Sequence, residues 1–120
     1  MKSENACELV HKAIAEEVKH GNFLYGPFNS DHEAWAVLLE EAQELTDEHT
    51  EYAKTCNETM QKLWKHVRSD SLTKQNGIDL LLDIKSITLD VLFECVQVCA
   101  MCDKWAEKLE AQKDGSNVGS

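Results

Sequence analysis

The chain has 120 residues, 42% of them hydrophobic and 28% charged, and its formal net charge is −10. A chain of this length usually forms one domain with a modest core, so we predict a single domain over residues 1–112 and a disordered tail over 113–120. The negative charge disfavours binding to nucleic acid or to an anionic membrane, and it favours a multivalent cation or a basic partner.

The first predicted element is a helix over residues 3–20, where apolar residues recur at helical spacing and Gly21 follows as a stop signal. Its opening sequence, MKSENACELVHK, lacks the apolar core of a signal peptide, which predicts a cytoplasmic protein. The segment GNFLYGPFNS then predicts a loop because it contains a Gly-Pro pair. The aromatic side chains of this segment are expected to pack against the bundle: Phe23, Tyr25 and Phe28.

The second predicted helix begins at a capping box. Ser30 opens the sequence SDHE, and Glu33 follows three residues later. We predict a helix from residue 31 to at least residue 51 and a further helical stretch over 52–67, and the sequence leaves open whether these are one helix or two. The tryptophans of the chain occupy apolar helical positions and are expected in the core or in an interface: Trp35, Trp64 and Trp105.

The last predicted helix spans residues 78–112 after the break RSDSLTKQNG, and it is apolar on most sides. Its thiols are expected to be small apolar core groups, because an odd cysteine number without an export signal disfavours disulfides. These thiols are Cys95, Cys99 and Cys102. The predicted fold is all-α, a bundle of three to four helices with a long central C-terminal helix, completed by formation of a homodimer or higher oligomer.

Carboxylates on two helices form the most informative pattern. Glu41 and Glu44 lie three residues apart in LLEEAQEL, and Asp90 and Glu94 lie four apart in the apolar stretch LDVLFECVQVCAM. Residues 31–53 contain eight acidic residues and no Lys or Arg. Oxygen ligands of this kind suit Mg²⁺, with Mn²⁺ as a substitute. Solvated helix faces, or pairing with a basic side chain elsewhere, are the competing interpretations.

A basic run, MQKLWKHVR, follows the acidic part of the second helix. Three of its side chains are candidates for contact with substrate phosphates: Lys62, Lys65 and Arg68. The competing interpretation, which the pattern favours, is that they only balance the charge of the acidic helix. Neither a nucleophile–base pair nor a glycine-rich phosphate loop is present in the sequence.

The motif Glu41-Ala-Gln-Glu44, followed by LDVLFECVQVCA in a later helix, resembles the MazG-like all-α nucleoside triphosphate pyrophosphohydrolases. That family carries ExxE on one helix and ExxD on a later one. The phrases SDHEAWAVLLEEAQEL and ECVQVCAMCDKW are similar to small MazG-like proteins of phages and prophages. The resemblance covers residues 28–106.

This resemblance implies an oligomeric helical bundle that binds Mg²⁺ and hydrolyses a nucleoside triphosphate to the monophosphate and pyrophosphate. Glu41, Glu44 and Asp90 match the family's acids and are expected to be catalytic and metal-binding, and we add Glu94 as a further ligand. Ile87 stands where the family has the first glutamate of its second motif, and this departure predicts weakened activity. The alternative prediction is a non-catalytic acidic helical protein that binds a basic partner, as an inhibitor or nucleic-acid mimic of a mobile element.

Overall fold

The computed structural model describes residues 4–112 as three α-helices joined by two short connections. Helix α1 spans Glu4–Tyr25, α2 spans Asp31–Arg68 and α3 spans Lys74–Glu110. The described range contains no strand, which confirms the all-α class, and its helices number three rather than four. The tail predicted to be disordered, 113–120, lies outside the described residues.

Helix α1 extends beyond its predicted end. Gly21 lies inside the helix, and the backbone turns only at Gly26, which has a left-handed φ of 72°. The Gly26 amide donates to the carbonyl oxygen of Asn22 at 2.8 Å and so closes the last turn. Phe23 and Tyr25 therefore belong to the helix rather than to a loop. Both are exposed, Phe23 by 86%, whereas Phe28 is buried as predicted.

Helix α2 is one continuous helix of 38 residues, which answers the question that the sequence left open. Its start confirms the predicted cap. The Glu33 amide donates to the hydroxyl oxygen of Ser30 at 3.1 Å, and the Glu33 carboxylate accepts from the Asn29 amide at 2.7 Å. The first bond satisfies a backbone donor that the first helical turn leaves without a partner, and the second ties the residue before the cap to the helix.

Helix α3 begins at Lys74, four residues before the predicted start. Its first turn is closed by a reciprocal pair of bonds. The Asn76 amide donates to the Thr73 hydroxyl oxygen at 3.1 Å, and the Thr73 amide donates to the side-chain oxygen of Asn76 at 2.8 Å. Asn76 occupies the position where a capping box usually has glutamate or glutamine, so the motif was missed in the sequence.

Backbone contacts group the chain into two compact units. The first comprises the chain up to Glu44 together with the part from Cys95 onward, and the second is Leu45–Glu94. The apolar core of the first unit consists of five buried side chains: Ile14, Val18, Phe28, Ala34 and Ala100.

The second unit has far less buried surface. Its buried positions among the described residues are Thr59 and Gly77, and neither is a large apolar residue. Large apolar side chains of α2 and α3 in this unit are exposed instead: Met60, Trp64, Val67, Ile78, Leu81, Leu82, Leu92 and Phe93.

Within residues 4–112, none of the helices combines the length and apolar character needed to cross a membrane.

Candidate metal and ligand site

Two acidic side chains of α2 come together in the first unit. A carboxylate oxygen of Glu41 and one of Glu44 lie within 4.8 Å of each other. Glu41 and Glu44 project from the same side of α2 because they are three residues apart. Glu41 is half-buried and Glu44 is exposed. These are two of the four predicted metal ligands, and Glu94, a half-buried residue of the second unit, stays a predicted ligand.

Asp90 is exposed and lies in the second unit, one turn before Glu94 on α3. The apolar stretch around Asp90 therefore does not bury its carboxylate. Its charge stays in contact with water, and no free-energy cost of burial arises. Its assignment as a metal-binding and catalytic residue stays a prediction.

The carboxylate oxygens of Glu41 and Glu44 suit a hard divalent cation. Mg²⁺ binds oxygen ligands at about 2.1 Å, so two ligands on opposite sides of one ion are separated by roughly 4 Å. The 4.8 Å limit on the carboxylate oxygens is close to that span. Two ionised carboxylates at such a distance repel by roughly 3 kcal/mol at an effective dielectric constant of 20. A cation would turn this repulsion into attraction.

A cavity of about 630 Å³ lies within the first unit, and Glu41 is part of its wall. Two other acidic residues of the wall already have donors. Glu17 accepts a hydrogen bond from the Gln97 side-chain amide at 2.7 Å, and Glu33 caps α2. The rest of the wall includes a further acid, Glu40, and a histidine, His20. Its aromatic and apolar part surrounds one lysine: Leu24, Tyr25, Phe28, Val37, Met101 and Lys104.

Lys104 is the unexpected residue of this cavity. It is only 7% exposed, and its ammonium lies 4.4 Å from the centre of the Phe28 ring. Within the described residues this ring is the contact of the ammonium, which makes no hydrogen bond or ion pair there. The ammonium is not one of the buried polar atoms that lack a partner, so the apolar stem of Lys104 is buried while its charged end borders the cavity. The cavity therefore has a positive charge on its wall that no carboxylate of the described residues neutralises by direct pairing.

A polar cluster elsewhere in the first unit joins the start of α2 to the end of α3. The Asp31 carboxylate accepts from the Trp105 indole nitrogen at 3.0 Å and from the Lys108 ammonium at 3.2 Å. The hydrogen bonds from Trp105 and Lys108 lower the pKa of Asp31 below its ordinary value of 3.8. This cluster anchors two helices, and it gives the half-buried Trp105 a partner for its polar atom.

The predicted phosphate-binding side chains lie in the second unit. Lys62, Lys65 and Arg68 line a cavity of about 510 Å³ within that unit, and all three are exposed. The same wall includes His66, whose Nδ1 lies 2.9 Å from the hydroxyl oxygen of Ser71. Contact of these cations with a substrate stays a prediction.

The prediction of buried thiols was wrong for two of three residues. Cys99 and Cys102 are exposed, and Cys95 is half-buried. The buried side of α3 in the first unit carries Ala100 and Lys104, and at 100° per residue this side lies far around the helix from Cys102. Trp35 and Trp64 are likewise exposed rather than in a core.

Comparisons with known proteins identify no relative. No family model matches the chain, and neither a curated protein nor a solved structure matches it with significance. The likeness to MazG-like enzymes therefore rests on the short motifs in α2 and α3.

Proposed function

We propose that the protein is a Mg²⁺-dependent nucleoside triphosphate pyrophosphohydrolase that releases a nucleoside monophosphate and pyrophosphate, with Mn²⁺ as a substitute metal. One observation carries the proposal. Glu41 belongs both to the carboxylate pair that it forms with Glu44 and to the wall of the cavity in the first unit. A metal-binding group beside a ligand-sized cavity is the arrangement that this reaction requires, and the motif resemblance supplies the reaction itself.

Each part of the arrangement has a chemical role. Glu41 and Glu44 would hold the ion through carboxylate oxygens, and Asp90 and Glu94 remain the further ligands that the sequence predicts. A divalent ion there would neutralise phosphate charge and make a bound water molecule more acidic. Glu41 also faces the cavity, so it would place the phosphate chain of a bound nucleotide beside the ion. Without the cation these acids would repel a triphosphate, and nucleotide binding should therefore depend on the metal.

Assembly into a homodimer belongs to the same proposal. The second unit exposes apolar side chains of α3, among them Leu82 by 55% and Phe93 by 59%. Contiguous exposed apolar residues of this size favour association with another apolar surface. A second copy of the chain would offer the same surface, as two-fold assembly requires.

Pyrophosphate release tests the enzymatic proposal. The purified protein would be incubated with each common NTP and dNTP in the presence of Mg²⁺ or Mn²⁺, and pyrophosphate would be quantified. We expect release from at least one triphosphate, and a fall of at least about tenfold in Glu44→Gln, because ligand loss weakens metal binding. Glu51→Gln is the matched control, since Glu51 is exposed on α2 and outside the carboxylate pair. Equal activity in Glu44→Gln and wild type would contradict the proposal.

One observation favours the alternative function, a binding protein for a basic partner. Several acids of α2 are exposed and lie outside both the carboxylate pair and the wall of the first-unit cavity: Asp47, Glu51 and Glu58. A binder would depend on these residues and would release no pyrophosphate. Charge-neutralising variants of this exposed set therefore separate the two functions.

A further inference from the structure

We infer that Lys104 binds an anionic oxygen of the ligand in the cavity of the first unit. The identity of that ligand as a nucleotide rests on the proposed function. The inference itself needs only an anionic group, and Lys104 is then a binding residue that the sequence motifs do not include.

Two lysines on the same helix show why Lys104 differs from an ordinary buried lysine. Lys108 lies four residues further along α3, and its ammonium pairs with the Asp31 carboxylate at 3.2 Å. Lys104 is more deeply buried, yet within residues 4–112 its ammonium meets the ring of Phe28 rather than a carboxylate. An ammonium that borders a cavity without a carboxylate partner can donate its hydrogen bonds to an anionic oxygen of a ligand in that cavity.

The cavity provides the place for that ligand. Lys104 is part of its wall, and a volume of about 630 Å³ lies within the usual range for small-molecule sites. The aromatic ring of Phe28 keeps the ammonium in a fixed place while leaving its three N–H donors available for an oxygen. Glu17 and Glu33 of the same wall accept hydrogen bonds from the Gln97 side chain and the Asn29 amide rather than from this ammonium.

Opposite charges on one wall suit a metal–phosphate ligand better than a free anion. Lys104 supplies the positive charge, and Glu41 joins the wall to the carboxylate pair. A phosphate chain that carries a divalent ion presents oxygens to the lysine and the ion to the carboxylates. The ligand class is therefore a nucleoside polyphosphate with its metal.

The test measures binding without hydrolysis. The probe is α,β-methylene-ATP with Mg²⁺, whose α–β linkage cannot be hydrolysed, and its dissociation constant is measured by calorimetry. We expect Lys104→Met to weaken binding by about tenfold to a hundredfold, as for loss of a hydrogen bond to a charged group. Lys104→Arg should retain most of the affinity. Lys12→Met is the matched control, because Lys12 is an exposed lysine of α1.

A second measurement separates binding from folding. The melting temperature of ligand-free Lys104→Met should stay close to that of the wild type, because methionine retains the apolar part of the buried side chain. In the wild type, the side-chain NMR signal of Lys104 should shift when the probe is added. An unshifted signal, or an unchanged dissociation constant in Lys104→Met, would overturn the inference.

The outcome also distinguishes this inference from the proposed function. Lys104-dependent binding of the probe with no pyrophosphate release from any triphosphate would leave the inference standing and remove the enzymatic proposal. Pyrophosphate release with the same KM and kcat in Lys104→Met as in the wild type would support the enzymatic proposal and overturn the inference about Lys104.

Discussion

Helices α2 and α3 contribute to both compact units, yet the two units differ in what they bury. In the first, α1 adds a third helix, and Ile14 and Val18 form a core with Ala100 of α3. In the second there are only parts of two helices, and no large apolar side chain of its described residues is fully buried. Apolar helices therefore do not guarantee a core, because a helix with more than one apolar side needs more than one neighbour.

The largest expected effect tests this difference directly. Ile14 is 7% exposed, and Ile14→Ala should lower the free energy of unfolding by about 2–4 kcal/mol, through lost burial and the cavity left behind. Leu82→Ala, which removes a comparable side chain from the second unit, should cost less than about 1 kcal/mol in the monomer. Denaturant unfolding at low protein concentration measures both. Equal losses would show that the second unit has a core of its own.

Homodimer formation would explain why the second unit leaves its apolar residues exposed. If a second copy covers these residues, light scattering at tens of micromolar should give twice the monomer mass. A double variant, Leu82→Glu with Phe93→Glu, should halve that mass without unfolding the chain. Leu9→Glu is the control, since Leu9 is an exposed leucine of the first unit. A wild-type protein that is monomeric under these conditions would contradict homodimer formation.

Local signals made much of the fold predictable. Helical spacing indicated all three helices, and the Ser30–Glu33 pair gave the start of α2 because both capping partners are close in sequence. The start of α3 was missed since Asn76 is an unusual capping partner. The end of α1 was missed because either Gly21 or Gly26 could stop a helix, and only the observed backbone chooses between them.

The candidate site was predictable in part. Glu41 and Glu44 were found because their spacing places both on one side of a helix. Lys104 was missed because the sequence shows α3 as apolar on most sides and does not reveal which side is buried. In the first unit the buried side carries Ala100 and Lys104. The available signal was the four-residue spacing of Lys104 from Ala100. Which side of a helix is buried depends on its neighbours, and one helix with several apolar sides does not reveal them.

Metal binding has an intermediate expected effect. A saturating excess of about 10–100 times the dissociation constant of Mg²⁺ should stabilise the folded protein by roughly 1.4–2.7 kcal/mol, which raises the melting temperature by several degrees. Glu44→Gln should abolish this rise, and Glu51→Gln should preserve it. Thermal unfolding with and without Mg²⁺ measures the effect.

Asp90→Asn decides between the motif and the geometry in the same experiment. Because Asp90 is exposed and outside the carboxylate pair, we expect this variant to keep most of the metal-induced rise. Complete loss of the rise would make Asp90 a ligand, as the family resemblance implies. If neither Mg²⁺ nor Mn²⁺ changes the melting temperature of the wild type, the proposed metal site is contradicted.

The smallest expected effect concerns the anchor between α2 and α3 in the first unit. Hydrogen bonds from Trp105 and Lys108 favour the ionised form of Asp31, so the pKa of this carboxyl is lower in the folded than in the unfolded chain. The unfolded chain then binds the proton more readily, and the stabilisation is fully present above an unfolded pKa near 3.8. It is lost as the pH falls from about 4 through the lower folded pKa.

Asp31→Asn should therefore reduce stability at pH 7 and make stability less dependent on pH below about 4, because the substitution removes the titrating group. Unfolding curves at pH 7, 5, 4 and 3 measure both consequences. Asp47→Asn is the control, since Asp47 is an exposed acid of α2 whose removal should leave the acid-dependent fall almost unchanged. If Asp31→Asn loses stability below pH 4 as steeply as the wild type, the anchor does not depend on the charge of Asp31, and the packing of Trp105 must hold these helix ends together instead.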